Sequence, residues 1–195
     1  MRITSGSLKG RVIPFNPEKF NDADVTPSKI KEALFSILGE NLGGRKLLDL
    51  FAGSGQIGLE ALSRGAESVV FNDRDSRRVR FIGEMTRNWG VAERSVVLHM
   101  PETRCLRYLE SKAMKFDIIF LDPPYIKKRG RVREYDALLE GITSHGLLNA
   151  DAPVIVQHFS GNELPENPGG LNIDKTRVYG TSSLSVYREK RTSEG

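Results

Sequence analysis

The segment Gly53-Ser54-Gly55-Gln56-Ile57-Gly58 constrains this chain more than any other. It follows a short apolar run at 46–50 and precedes a helical pattern carrying Ile57, Leu59 and Leu62. Glycines between a strand and a helix let the backbone turn sharply and leave N–H groups at a helix start. β-rich runs recur at 68–72, 95–98, 116–121 and 153–157, with helical patterns between them. Short strands alternating with helices predict an α/β fold, a mostly parallel sheet covered on both faces. Two further runs, 176–180 and 183–187, predict a closing antiparallel hairpin, and 160–170 reads as a loop.

The 195 residues suit one domain with a short extension. Hydrophobic residues at 38% and charged residues at 28% can build a packed core. The formal net charge of +4 permits an anionic partner without demanding one. Cys105 is the single cysteine, so an internal disulfide and a Cys-based zinc cage are excluded. A lone thiol fits a reducing, cytoplasmic setting. The sequence has no apolar run of membrane-spanning length and no apolar signal-peptide region at its start.

Residues 1–25 differ from the rest. Arg2-Ile3-Thr4 and Arg11-Val12-Ile13 flank small residues and predict a basic hairpin extension, with the main domain at 26–195. Thr26 reads as the cap of the first helix, with Pro27 in its first position and Ile30, Ala33, Leu34, Ile37 and Leu38 on one face.

Asp73 lies 20 residues beyond Gly53, the spacing at which an acidic residue holds ribose hydroxyls. A tight turn with no ligand is the structural alternative. Asp49 stands late in the first strand, just before Phe51 and Ala52. Its charge would repel a diphosphate and favour a cationic ligand, which tilts the choice from NAD toward S-adenosylmethionine. Asp122-Pro123-Pro124-Tyr125 follows the fourth strand. Two prolines remove two N–H donors and leave carbonyls and a carboxylate, an acceptor-rich patch suited to an amino group. Tyr125 offers a ring for a base to stack on.

Together the glycine loop and the 122–125 segment look like the motif pair of amino-methyltransferases. The whole chain resembles the RsmD family, the 16S ribosomal RNA guanine-N2 methyltransferases. The matches include Met1-Arg2-Ile3, Lys9-Gly10-Arg11, Lys31-Glu32-Ala33-Leu34-Phe35, Gly58-Leu59-Glu60-Ala61-Leu62, Gly146-Leu147-Leu148 and Tyr179-Gly180-Thr181. The resemblance implies a Rossmann-like methyltransferase fold with a seven-stranded sheet. It implies methyl transfer from S-adenosylmethionine to the exocyclic N2 of a guanine in small-subunit rRNA. Asp49, Phe51, Ala52, Gly53, Ser54, Gly55, Gly58, Asp73, Arg74 and Glu102 would bind the cofactor. Asp122 and Pro123 would accept from the amino group, Pro124 would stiffen the segment, and Tyr125 would stack on the extruded base. The partner is then 16S rRNA or an assembling small subunit, met by a monomer.

The chain departs from the family pattern in three places. Asp24-Val25 stands where Arg-Pro is usual, Pro101 where an acidic residue follows the third strand, and Gln157-His158 where Glu-His is common. Glu102 is the neighbouring substitute for the acid at 101.

Cations cluster at Lys127, Lys128, Arg129, Arg131 and Arg133, beside Tyr125. With Arg2, Lys9 and Arg11 they are candidates for phosphate contact. Arg74, Arg77, Arg78 and Arg80 read as a solvated helix face. His99, His145 and His158 lack metal-ligand spacing. Two other functions remain open: a DNA amino-methyltransferase acting on adenine N6 or cytosine N4, and a non-catalytic RNA-binding assembly factor.

Overall fold

The computed structural model describes residues 1–20, 26–124 and 130–189. Its strands are β1 (Lys46–Asp49), β2 (Ser68–Asp73), β3 (Ser95–His99), β4 (Ile118–Leu121), β5 (Gly130–Arg131), β6 (Val154–Phe159), β7 (Asn162–Glu163), β8 (Leu171–Tyr179) and β9 (Ser182–Glu189). Its α-helices are α1 (Ser28–Leu38), α2 (Gln56–Ser63), α3 (Ser76–Asn88), α4 (Glu102–Ser111) and α5 (Arg133–Ser144).

Seven strands form one sheet in the order β3-β2-β1-β4-β6-β9-β8. β1 pairs in parallel with β2 and β4, and β9 runs antiparallel to both β6 and β8. The predicted fold class and closing hairpin are therefore present. The stretch read as a loop at 160–170 holds β7, whose partner is β5. Two residues are too few for periodicity to show.

Alternate strand residues feed two cores. Leu47, Val69, Phe71 and Phe120 pack beneath α1, α2 and α3. Leu48, Val70, Ile119 and Leu121 pack beneath α4 and α5. Cys105 belongs to the second core, and burial pushes its thiol up to about 12, which leaves it unreactive.

The N-terminal residues close a hairpin through one bridge between Arg2 and Val12. Ile3, Leu8 and Ile13 are buried in the first core. Glu60 on α2 reaches up to this segment. It accepts from the Thr4 and Ser5 backbone N–H groups, the Thr4 hydroxyl, Lys31 and Arg64.

Gly58 sits one turn into α2. A Cβ there would overlap the Phe71 ring and come 2.8 Å from Val69 Cγ1. The third glycine of the motif thus sets how closely α2 lies on β2. Gly58→Ala is expected to cost about 1–3 kcal/mol through overpacking. Urea denaturation measures it; an unchanged midpoint would contradict the close approach.

Candidate active site

Strand order reverses beside β1, whose neighbours β2 and β4 lead away in opposite directions. Ligands of open α/β sheets bind at such a switch point, beyond the carboxyl ends of the strands. A cavity of about 950 Å³ opens there.

One wall is the glycine loop. Gly53 (φ 54°) and Gly55 (φ 74°) take left-handed backbone, and a Cβ on Gly55 would press on Ile82. The Gly53 N–H donates to Asp73 Oδ2 at 2.9 Å. The other Asp73 oxygen accepts from the Asp75 N–H, and the Arg78 guanidinium lies 3.5 Å from Oδ2. Asp75 caps α3 by accepting from the Arg77 N–H. The Arg77 side chain hydrogen-bonded to Asp75 holds that carboxyl down at about 2.

Asp49 ends β1 and is buried. Neither carboxylate oxygen has a hydrogen-bond partner among the described residues. Burial, then the Asp122 charge, push its pKa up to about 8; the Gly58 backbone N–H, near but outside hydrogen-bond geometry, pulls the other way, and Asp73 adds to the rise. Three carboxylates, Asp49, Asp73 and Asp122, thus face one cleft. Such a cleft favours a cation, which would supply the counter-charge that the buried Asp49 lacks.

The opposite wall is Asp122, Pro123 and Pro124, directly after β4. Thr26 joins it: its hydroxyl donates to Asp122 Oδ2 at 3.0 Å. The helix cap predicted at Thr26 is corrected. α1 begins at Ser28, its cap is Pro27, and no side-chain cap bond forms. A capping oxygen accepts from the free N–H groups of its helix, and the Thr26 oxygen does not do so.

Of the expected cofactor residues, Asp49, Phe51, Ala52, Gly53, Ser54, Asp73, Arg74 and Glu102 line the cavity. Gly55 shapes the loop behind it, and Gly58 packs against β2. Pro101 is the cap of α4, which leaves Glu102 as its first residue, facing the cavity. Tyr125, Lys127, Lys128 and Arg129 lie outside the described residues, as do Asp24 and Val25. The backbone of Arg131 belongs to β5, opposite Glu163; its side chain is outside the described set.

Arg2, Lys9 and Arg11 are exposed on the hairpin. Arg11 stacks over Trp89 at 5.7 Å, and Met1 Sδ meets the Ser54 hydroxyl at 3.5 Å. The hairpin therefore reaches the glycine loop.

Arg78 corrects the reading of its helix as a wholly solvated face. It pairs with Asp73, lines the cavity, and donates to the Phe20 carbonyl. Gln56 and Arg78 were missed as site residues. Arg78 stands five positions after Asp73, and that proximity was the available signal. His158 is structural: Nδ1 donates to the Phe159 carbonyl, Nε2 faces the Ser185 hydroxyl, and burial lowers its pKa. Among the described residues no cluster of three His, Cys, Asp or Glu could hold a metal. No described helix is long and apolar enough to cross a membrane.

The family model described as Conserved hypothetical protein 95 matches residues 1–188. The chain belongs to this family, the RsmD family. A relative from Bacillus subtilis, "Putative rRNA methyltransferase YlbH", is 33% identical over 190 residues, which is 97% of this chain and 100% of that protein. Ribosomal RNA small subunit methyltransferase D of Escherichia coli K12 is 28% identical over 194 residues, covering 100% of this chain and 92% of that protein. Among solved structures, a Thermus thermophilus 16S rRNA N2 G1207 methyltransferase in complex with AdoMet and guanosine superposes with TM-score 0.66. It is 23% identical and covers 88% of this chain and 45% of that one, a likeness of fold. In this RsmD-family chain the 49–58 and 122–124 segments meet across one cleft.

Proposed function

We propose that this family member transfers a methyl group from S-adenosylmethionine to the exocyclic N2 of a guanine in 16S rRNA. The observation that carries the reading is the cleft itself. A buried Asp49, with no hydrogen-bond partner among the described residues, faces Asp122 and two prolines across one cavity. The relatives named as rRNA methyltransferases support an rRNA substrate, and the fold neighbour named for guanine N2 supports the base.

The residues fit the cofactor. Asp49 would meet its positive charge, Asp73 its ribose hydroxyls, and the Gly53-Ser54-Gly55 turn its amino-acid portion. When bound, S-adenosylmethionine supplies an electrophilic methyl on a positive sulfur whose leaving form is a neutral thioether. The protein's own residues position the acceptor. Asp122 and the Pro123 carbonyl accept from the guanine amino group, which fixes the nitrogen and enriches it in electron density. The amino nitrogen gives up one proton as it gains a carbon, and Asp122 is placed to accept it. Pro123 and Pro124 have no N–H to compete with the amine for these acceptors.

Residues 26–195 form the catalytic domain in this reading, and residues 1–25 contact RNA. Arg2, Lys9 and Arg11, with Lys127, Lys128, Arg129 and Arg131, would meet phosphates. The base would be flipped onto Tyr125, since an amino group inside a helix is out of reach. A cytoplasmic monomer acting on free rRNA or an assembling subunit completes the proposal.

Labelled methyl groups offered with free rRNA, small-subunit particles and DNA test it, with nucleoside analysis of the product. N2-methylguanine in 16S rRNA is expected. N6-methyladenine or labelled DNA would overturn the reading.

A second measurement follows from Asp49. Below about pH 8 this carboxyl is largely protonated in the ligand-free protein. A cation binding beside it requires the charged form, so binding releases a proton and tightens as pH rises from 6 to 8. Calorimetry in buffers of different ionisation enthalpy is expected to show proton release near pH 7. Proton uptake, or no exchange, would contradict the role of Asp49.

A further inference from the structure

We propose that Thr26 is a positioning residue for Asp122, held in place by Gln56. The inference rests on the amino-methyltransferase reading, which makes Asp122 the acceptor of the reacting amine. Two contacts and the place of Gln56 in the fold carry it. The Thr26 hydroxyl donates to Asp122 Oδ2 at 3.0 Å. The Thr26 carbonyl accepts from Gln56 Nε2 at 2.9 Å, and both residues are buried. Gln56 opens α2 directly after the glycine loop.

The arrangement answers a need the proline segment creates. An aspartate followed by two prolines has no N–H from the next two residues to steady its carboxylate. Thr26 brings a donor to it from 96 positions away in the chain. Thr26 is the residue before Pro27, where backbone is biased away from the helical region. Its hydroxyl forms no cap bond with α1. The Thr26 side chain thus gives its own helix no cap, and its donor goes to the site. Gln56 fixes the backbone of Thr26 to the loop that would hold the cofactor. The chain Gln56–Thr26–Asp122 therefore sets the amine's acceptor against the methyl donor's loop as one unit. A shift of roughly 1 Å in such a unit can cost about 100-fold in rate.

Thr26→Val removes the hydroxyl at equal size. It is expected to lower kcat about 10- to 100-fold, while KM for RNA and the calorimetric Kd for S-adenosylmethionine stay within about threefold. Thr26→Ser restores the donor and is expected to recover kcat to within about threefold of wild type. A crystal structure of Thr26→Val should show the Asp122 carboxylate turned from its wild-type orientation. Thr26→Val with kcat within about twofold of wild type overturns the proposal. So does a folded Thr26→Ser as slow as Thr26→Val, because packing would then explain the loss. Should Thr26→Val fail to fold, Gln56→Met decides. It is expected to slow kcat several-fold with cofactor affinity retained, and unchanged kcat there overturns the relay. A wild-type protein that binds the cofactor but methylates no rRNA would sink the amino-methyltransferase reading instead. The orientation of Asp122 in the variant crystals would then still test whether Thr26 positions it.

Discussion

Asp122→Ala is expected to lower methyl transfer at least about 100- to 1,000-fold, the cost of removing one preorganised group from a reacting centre. Asp122 follows β4, lines the cleft, and receives the Thr26 hydroxyl. With the carboxylate gone, the Pro123 carbonyl alone would face the amine, and the group placed to accept its proton would be missing. Binding of S-adenosylmethionine should survive, because Asp49, Asp73 and the glycine loop are untouched. A further consequence separates this variant from simple damage. Asp122 is the second cause of the raised Asp49 pKa, after burial. Without that charge Asp49 is less protonated near pH 7, so the proton release on cofactor binding should shrink. Single-turnover kinetics and buffer-dependent calorimetry measure the two effects. Near-normal turnover would remove Asp122 from the reaction.

Glu60→Ala is expected to destabilise the fold by about 3–5 kcal/mol, the cost of stranding a buried charge. Lys31 Nζ lies 3.0 Å from Glu60 Oε2, and its side chain is 3% exposed. Removing Glu60 would leave that ammonium with the Arg2 carbonyl as its remaining acceptor among the described residues. The Thr4 and Ser5 N–H groups would lose their acceptor at the same time, and Arg64 would keep the Thr4 hydroxyl but lose its carboxylate. The sign with pH follows from the folded carboxyl. Burial pushes its pKa up, but hydrogen bonds from the Thr4 backbone and hydroxyl and from Lys31, with the Lys31 charge, bring it below the ordinary 4.5. Its stabilisation is therefore present above that value and lost as pH falls through the lower folded pKa. Urea denaturation at neutral and acid pH checks both statements. Hydrogen exchange should also show the Thr4 and Ser5 amides opening first. A change under about 1 kcal/mol would mean the cluster behaves as an exposed one.

The buried Glu60 cluster was invisible in the sequence. Lys31, Glu60 and Arg64 read there as ordinary members of helical patterns. Their pairing depends on α1 and the hairpin both resting on α2, which no local pattern encodes. Gly58 shows a milder version. Its place in the motif was legible, but the ring it packs against, Phe71, lies across on β2. Thr26 was legible as a helix start and read as a cap accepting from backbone N–H groups, whereas it forms no cap bond and its hydroxyl donates to Asp122. The Thr-Pro pair marks a boundary in either case, and Asp122 comes near only when β4 is laid beside β1.

The sequence by itself determined the order of the seven main-sheet strands along the chain and of the helices between them, the glycine turn, the acid at the end of β2 and the proline segment after β4. These are local: they follow from periodicity, backbone sterics and short spacings. The tertiary structure alone decided that Asp49 is buried and protonated below about pH 8, that Arg78 turns in to Asp73, and that Thr26 serves Asp122. Desolvation and contact arise when distant segments share one cleft, and the reversal of strand order beside β1 brings those segments together.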